Sequence, residues 1–277
     1  MYPEPLEFIG ISFVRSYGLT LAIAFLVGIF WARKRAIKAN IPPDHVLDLS
    51  FIALIASVVG SRFFYVIYHL EEFADNILDI INPFQGDSVG ISGLSMMGGV
   101  VLALVSAFIY LTAKRIKPWA LFDVMMPMFA LGIGLVRVGC FLNGCCYGLP
   151  AHDHFGIVFP LDSAAGYHFP DIALIPTQLY SALAGITILL IVLGSEKFKK
   201  FDGHSFWITV GLYGIWRFII DFFRYYEDSM TVVMLGSEFS RNQVLSILLF
   251  IVSVAGYITM YLKYAKGANA NDRGNTA

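Results

Sequence analysis

Seven apolar runs, each about as long as a helix needs to cross a hydrocarbon core, dominate the 277-residue chain and leave it little to become except a membrane bundle. They fall at roughly 13–32, 49–69, 95–113, 119–139, 172–194, 205–223 and 243–264, and a bilayer obliges each to satisfy its backbone internally, as an α-helix. A water-soluble alternative fails on composition: 57% of the residues are hydrophobic and only 14% charged, too few polar side chains to clothe such a core. The expected fold is all-α, a single seven-transmembrane-helix domain over residues 1–267 followed by a polar cytoplasmic tail, 268–277.

Orientation follows from the basic residues, because short loops rich in Lys and Arg stay cytoplasmic. Arg33, Lys34, Arg35 and Lys38 follow the first run, Lys114, Arg115 and Lys117 the third, Lys197, Lys199 and Lys200 the fifth, and Lys263 and Lys266 the last. Loops 70–94 and 140–171 hold neither Lys nor Arg. The N-terminus is therefore expected outside and the C-terminus inside. The first run lacks a preceding basic stretch and a small-residue cleavage site, and reads as a retained span. In loop 70–94, EEFADNILDIINPF sets Phe73, Ile77, Leu78, Ile80 and Ile81 at helical spacing, as in a helix lying on the membrane surface. A net charge of −1, sorted by membrane face, argues against nucleic acid as a partner.

Ionisable groups inside spans are costly and mark function. At about 1.5 Å of rise per residue, Arg62 lies roughly 20 Å along the second span, Arg137 roughly 27 Å along the fourth and Arg217 roughly 18 Å along the sixth. Arg15 enters the first span from the opposite side, and all of these fall in the outer half of the bilayer. Asp221, four residues after Arg217 and three before Arg224, neutralises one arginine through a helical pair. The surplus calls for an anion, and a phosphate fits because guanidinium forks match its oxygens bidentately. The simpler reading, pairing with carbonyls or snorkelling to ordinary headgroups, suits Arg15 and Arg224 near the interface.

Around Arg137 the sequence LGIGLVRVGCFLNGCCYG places Gly132, Gly134, Gly139, Gly144 and Gly148 together with Cys140, Cys145 and Cys146. Close helix packing accounts for Gly132 and Gly134; Gly144 and Gly148 suit a permissive turn or close lipid approach. The cysteines admit three readings: packing groups or a disulfide on the oxidising face, participation of Cys140 or Cys145 in group transfer, or a metal site shared with His152, His154 and His168. The spacing fits no compact zinc pattern, so neither metal nor cofactor is expected. His69 and His204 lie at loop edges and read as solvated.

The blocks VRSYG (Val14 to Gly18), GSR (Gly60 to Arg62), Gly93 to Gly99, Gly132 to Gly148, PTQLY (Pro176 to Tyr180), Tyr213 to Arg224 and Asn242 to Ser246 occur in an order that resembles bacterial prolipoprotein diacylglyceryl transferases, across nearly the whole chain. That resemblance implies an inner-membrane enzyme, active at the outer leaflet, that moves the diacylglyceryl group of phosphatidylglycerol to the lipobox cysteine of a prolipoprotein and releases glycerol 1-phosphate. It implies headgroup binding by Arg137, an essential Arg217, and supporting roles for Tyr17, Asn143, Gly148 and Tyr213. Arg62, Gly98 and Gly99 are expected on the lipid-binding side, with Cys140 and Cys145 beside the reacting groups. The chain departs from the family pattern at Met97, where the family has histidine, and at Cys140 and Cys145, where it has Asn and Glu. Methionine accepts no proton. Two alternatives stay open: transfer from an anionic phospholipid to a different acceptor, and a non-enzymatic anion- or lipid-binding heptahelical protein. A retinal-type receptor is excluded, since every lysine lies in or beside a cytoplasmic loop.

Overall fold

Each apolar run becomes a helix, because a backbone surrounded by aliphatic side chains must pair its own amides and carbonyls. The computed structural model describes residues 16–73, 80, 84–85, 88–89, 95–151, 156–226, 231–234 and 237–274. Among them the long helices are α1 (Ser16–Lys38), α2 (Asp44–Tyr68), α3 (Met96–Ala113), α4 (Pro118–Leu142), α6 (Thr177–Ser195), α7 (His204–Asp221) and α8 (Arg241–Gly274), with a short α5 (Ala164–His168). Five helical stretches, those of α1, α2, α4, α6 and α8, are long and apolar enough to cross a membrane, and α3 is a shorter apolar helix. α7 matches the sixth run but carries Arg217 and Asp221 in its 18 residues. Leu104 and Phe108 on α3 are 67% and 68% exposed, an apolar surface that only hydrocarbon covers at low cost.

The described residues also contain three two-stranded antiparallel pairs: β1 (Phe84–Gln85) with β2 (Ser88–Val89), β3 (Ile157–Val158) with β4 (Ala173–Leu174), and β5 (Thr231–Met234) with β6 (Ser237–Ser240). The surface helix expected after residue 70 falls mostly outside the described residues; what is described there is a 3-10 turn, Leu70–Phe73, and β1. The tail expected at 268–277 continues α8 as far as Gly274.

The chain divides into two compact units, Arg33–Leu121 and the pair Met1–Ala32 with Phe122–Ala277. In the first, α2 and α3 form an antiparallel hairpin whose closest approach is glycine on glycine. A Cβ at Gly60 would strike the Gly98 carbonyl, one at Gly98 the Gly60 carbonyl, and one at Gly99 the Ser61 hydroxyl. Small residues let the two backbones touch, which is how helices associate without a hydrophobic driving force. At the far end of the hairpin, Tyr110 donates to Asp48 at 2.7 Å and contacts His45 Nδ1 at 2.9 Å.

The second unit holds a carboxylate that organises a helix start. Asp123 on α4, 2% exposed, accepts from the backbone N–H groups of Gly203 (2.8 Å) and Phe206 (3.0 Å) at the beginning of α7, and Lys199 Nζ approaches it at 2.9 Å. An anion at a helix N-terminus satisfies orphan amides and meets the positive end of the dipole. Asp123→Ala leaves two buried amides unpaired and is expected to lower stability by about 2–4 kcal/mol, read as thermal unfolding in detergent; an unchanged midpoint would refute this account. His204, expected to be solvated, is instead buried at 3% exposure, with Nε2 3.1 Å from the Ser195 carbonyl and Nδ1 3.2 Å from the Tyr257 hydroxyl. A loop edge in sequence is here a packed corner. His69 is exposed and stacks on Tyr65.

Candidate functional site

The C-terminal end of α4 carries Arg137 and Cys140, and the chain then doubles back. Cys145 N–H donates to the Cys140 carbonyl at 3.0 Å, and Gly144 and Cys146 take left-handed backbone angles, φ 66 and 61. For cysteine that conformation is strained, a cost of about 1–3 kcal/mol that tends to be found at functional sites. At Gly144 a Cβ would also meet the Ser163 side chain. The fold-back gathers the thiols: the three sulfurs lie within 4.8 Å of one another, and all three cysteines are free.

This turn is braced from behind by the start of α6. Gln178 Nε2 donates to the Cys145 carbonyl and Thr177 Oγ1 to the Cys146 carbonyl, both at 2.9 Å. Beyond it, Gly148 N–H donates to Ile175 O (3.0 Å) and Leu149 N–H to Phe223 O (2.9 Å), while Gly148 forms a β-bridge with Arg224. A Cβ at Gly148 would collide with both of those carbonyls, so the glycine is required by close backbone packing. The described part of loop 140–171, together with Leu174, thus forms a folded cap with a small core, Phe159, Ala165 and Leu174 packed by Phe141, Tyr147, Ile157 and Phe169.

Gly139 lets the first turn of α1 sit against α4, close to Tyr17 and Thr20, and Tyr17 feels the charges of Arg137 and the three cysteines. Arg137 lies in the field of Cys146 and Cys140 and of Tyr213 from α7. Asn143 acts on the Cys145 thiol, whose sulfur donates to the Cys140 carbonyl at 3.7 Å. The Cys146 thiol is held well below the usual thiol range by hydrogen bonds from Cys140 and Cys145 and, further, by the Arg224 and Arg137 guanidinium groups. Cys145 moves the other way: its hydrogen bond with Cys140 favours the thiolate, but the one with Cys146 together with burial outweighs it.

A second cluster follows on α7. Arg217 Nη1 is 3.2 Å from Asp221 Oδ1, as the i, i+4 spacing predicts, and Arg217 Nη2 donates to the Tyr226 hydroxyl at 2.7 Å. Tyr226 in turn donates to Asp221, Ser240 donates to the other Asp221 oxygen, and Asn242 Nδ2 donates to Tyr226 at 3.3 Å. Burial and the Asp221 hydrogen bond push the Tyr226 phenol up from its ordinary value. Arg224 joins the two clusters, since its charge acts on both Cys146 and Tyr226 and its guanidinium lies over the Tyr226 ring at 5.2 Å. Its Nε is buried without a hydrogen-bond partner among the described residues.

Arg62, Gly98 and Gly99 belong to the other unit. Arg62 is 8% exposed, donates from Nε to the Ile80 carbonyl at 2.8 Å and lies over the Phe73 ring at 5.0 Å. Gly98 and Gly99 form the α2–α3 crossing, which accounts for them by packing, and Met97 beside them is exposed. His168 spends Nδ1 on the Ala164 carbonyl at 2.8 Å. Arg15, His152 and His154 lie outside the described residues.

Sequence reasoning passed over Gln178, Thr177, Tyr226 and Ser240. PTQLY marked Thr177 and Gln178 only as part of a block shared with the family it resembles, and nothing in spacing links Thr177 to a carbonyl 31 residues earlier. Arg224, assigned to ordinary headgroups, proves to face the cysteine turn and Tyr226.

The geometry has close relatives in sequence. The model of the prolipoprotein diacylglyceryl transferase family matches residues 5–259. The chain is 32% identical over 254 residues to a phosphatidylglycerol--prolipoprotein diacylglyceryl transferase of Campylobacter hominis, covering 89% of this chain and 87% of that one. It is 31% identical over 262 residues to the protein of the same name from Dehalococcoides mccartyi, covering 92% and 93%. With the arginine-bearing ends of α4 and α7 inside a match that takes in almost every described helix, the chain belongs to the prolipoprotein diacylglyceryl transferase family.

Proposed function

We propose that the protein transfers the diacylglyceryl group of phosphatidylglycerol to the lipobox cysteine thiol of a prolipoprotein, the first step of bacterial lipoprotein maturation. The observation that carries this reading is the convergence of Arg137, Arg217 and Arg224 on neighbouring groups with one buried carboxylate, Asp221, among them. A phosphodiester supplies the missing negative charge, and the unpartnered Arg224 Nε has a donor to offer it. The thiol gives its proton to water, its sulfur attacks the glyceryl carbon, the carbon–oxygen bond to phosphate breaks, and glycerol 1-phosphate departs with the electron pair. Guanidinium groups whose hold tightens as charge gathers on the leaving phosphate lower that barrier. Tyr17, Asn143, Tyr213 and the Gly148 backbone shape the headgroup recess. Cys140, in the field of Arg137, and Cys145 beside it act at the reacting centre. The chain spans the bacterial inner membrane seven times, N-terminus outside, with this recess toward the outer leaflet; the basic-loop pattern supports that orientation.

The purified protein, given phosphatidylglycerol and a lipobox peptide, is expected to yield a peptide heavier by one diacylglyceryl group in mass spectrometry and to complement a strain lacking its own transferase. Met97, exposed where the family pattern has histidine, favours a second reading, the same lipid with another acceptor. Glycerol 1-phosphate release without peptide modification would select it, and neither product would defeat both.

A further inference from the structure

We propose that Cys140, Cys145 and Cys146 form a three-sulfur site for a thiophilic divalent metal of the zinc class, whose open fourth position takes up the thiol of the incoming cysteine. The first half stands on geometry alone; the second rests on the transferase reading.

The sulfurs are already gathered within 4.8 Å of one another. Tetrahedral zinc with Zn–S bonds of about 2.3 Å needs sulfurs about 3.8 Å apart, a closure of no more than about 1 Å from what is present. The backbone carries strain to hold them there, with Cys146 at φ 61 directly after a turn through Gly144 at φ 66. A second layer fixes the turn: Gln178 and Thr177 clamp the carbonyls of Cys145 and Cys146 from the start of α6, the kind of outer-shell bracing that metal sites depend on. A disulfide would use two of these sulfurs and strand the third, whereas a metal uses all three.

Charge also fits. Three thiolates and a divalent cation leave one negative charge, and Arg137 and Arg224 both act on Cys146. The two guanidinium groups outweigh that charge and leave room for a fourth thiolate. Three protein ligands with one open position is the pattern of catalytic rather than structural zinc. The nearby alternatives for activating a thiol are committed elsewhere, Asp221 to Arg217, Tyr226 and Ser240, and His168 to the Ala164 carbonyl. A thiol bound to the metal gives its proton to water and stays a thiolate at neutral pH. Its sulfur lone pair then forms the bond to the glyceryl carbon while the carbon–oxygen bond breaks toward phosphate, and the thioether product, a weaker ligand, leaves the metal.

The full chain, purified reduced in detergent and titrated with Co2+, is expected to bind one ion per chain with a near-ultraviolet sulfur-to-cobalt charge-transfer band and the visible bands of tetrahedral cobalt. A lipobox peptide should intensify the charge-transfer band, and the same peptide with Ser for Cys should not. Cys140→Ser, Cys145→Ser and Cys146→Ser should each weaken Co2+ binding at least tenfold. Absence of the band in wild-type protein whose three thiols titrate as reduced overturns the site; a band indifferent to the peptide thiol overturns its role in activation. Transfer by metal-free protein would likewise sink the metal's role and leave the transferase reading standing. Metal binding without any transfer would do the reverse.

Discussion

Replacing Arg137 by alanine is expected to lower diacylglyceryl transfer by about 10²–10³-fold, the usual cost of removing one donor aimed at charge that develops in a transition state. Arg137 is half-buried, interacts electrostatically with Cys146 and shares its surroundings with Tyr17 and Tyr213, so the loss should fall on the chemical step as well as on lipid affinity. Arg137→Lys keeps the charge but not the planar fork, and should recover only part of the rate. The measurement is the initial rate of peptide modification against phosphatidylglycerol concentration in mixed micelles. If Arg137→Ala raised KM with kcat unchanged, the residue would be a headgroup anchor and nothing more.

Arg217 should behave differently, because its partner is sealed in. The Asp221 side chain has no exposure and that of Arg217 only 14%, and Asp221 also accepts from Tyr226 and Ser240. Removing the cation alone strands a buried carboxylate, so Arg217→Ala is expected to cost about 3–5 kcal/mol of stability as well as activity. Adding Asp221→Asn removes the stranded charge while keeping a group able to meet Tyr226 and Ser240. The double variant should therefore regain much of its thermal stability and none of its transfer. Recovery of both would make the pair purely structural, and failure to recover stability would show that the Tyr226–Ser240 network, rather than the charge, holds the end of α7. Thermal unfolding in detergent and the transfer assay, run side by side, separate these outcomes.

How much of this was legible beforehand differs by the kind of constraint. Helix positions were legible because the bilayer imposes a length and a composition that one-dimensional sequence records directly: the run at 95–113 became Met96–Ala113, and that at 119–139 became Pro118–Leu142. The Arg217–Asp221 pair was legible for the same reason, since a helix fixes which residues are neighbours four apart. Loop 140–171 was not, because its cap is held by pairings such as Ala151 with Ala173 and Gly148 with Ile175, whose partners sit more than twenty residues away. His204 reads as solvated only until the Ser195 carbonyl and the Tyr257 hydroxyl are placed on either side of its ring.

The cysteines show the division most sharply. Sequence by itself determined that three thiols follow a membrane-embedded arginine, that the surrounding spans are apolar, and that the blocks resemble a lipid-modifying family, because residue identity and periodicity are local properties. It argued against a metal, since a spacing of five residues and then one matches no compact ligand pattern. Only the tertiary structure decided that Cys140, Cys145 and Cys146 meet. A helix end followed by two left-handed residues reverses the chain, and Gln178 and Thr177, contributed by another helix, hold it reversed. Distances between side chains on a turn depend on backbone angles and on braces from remote elements, and neither is written in the spacing.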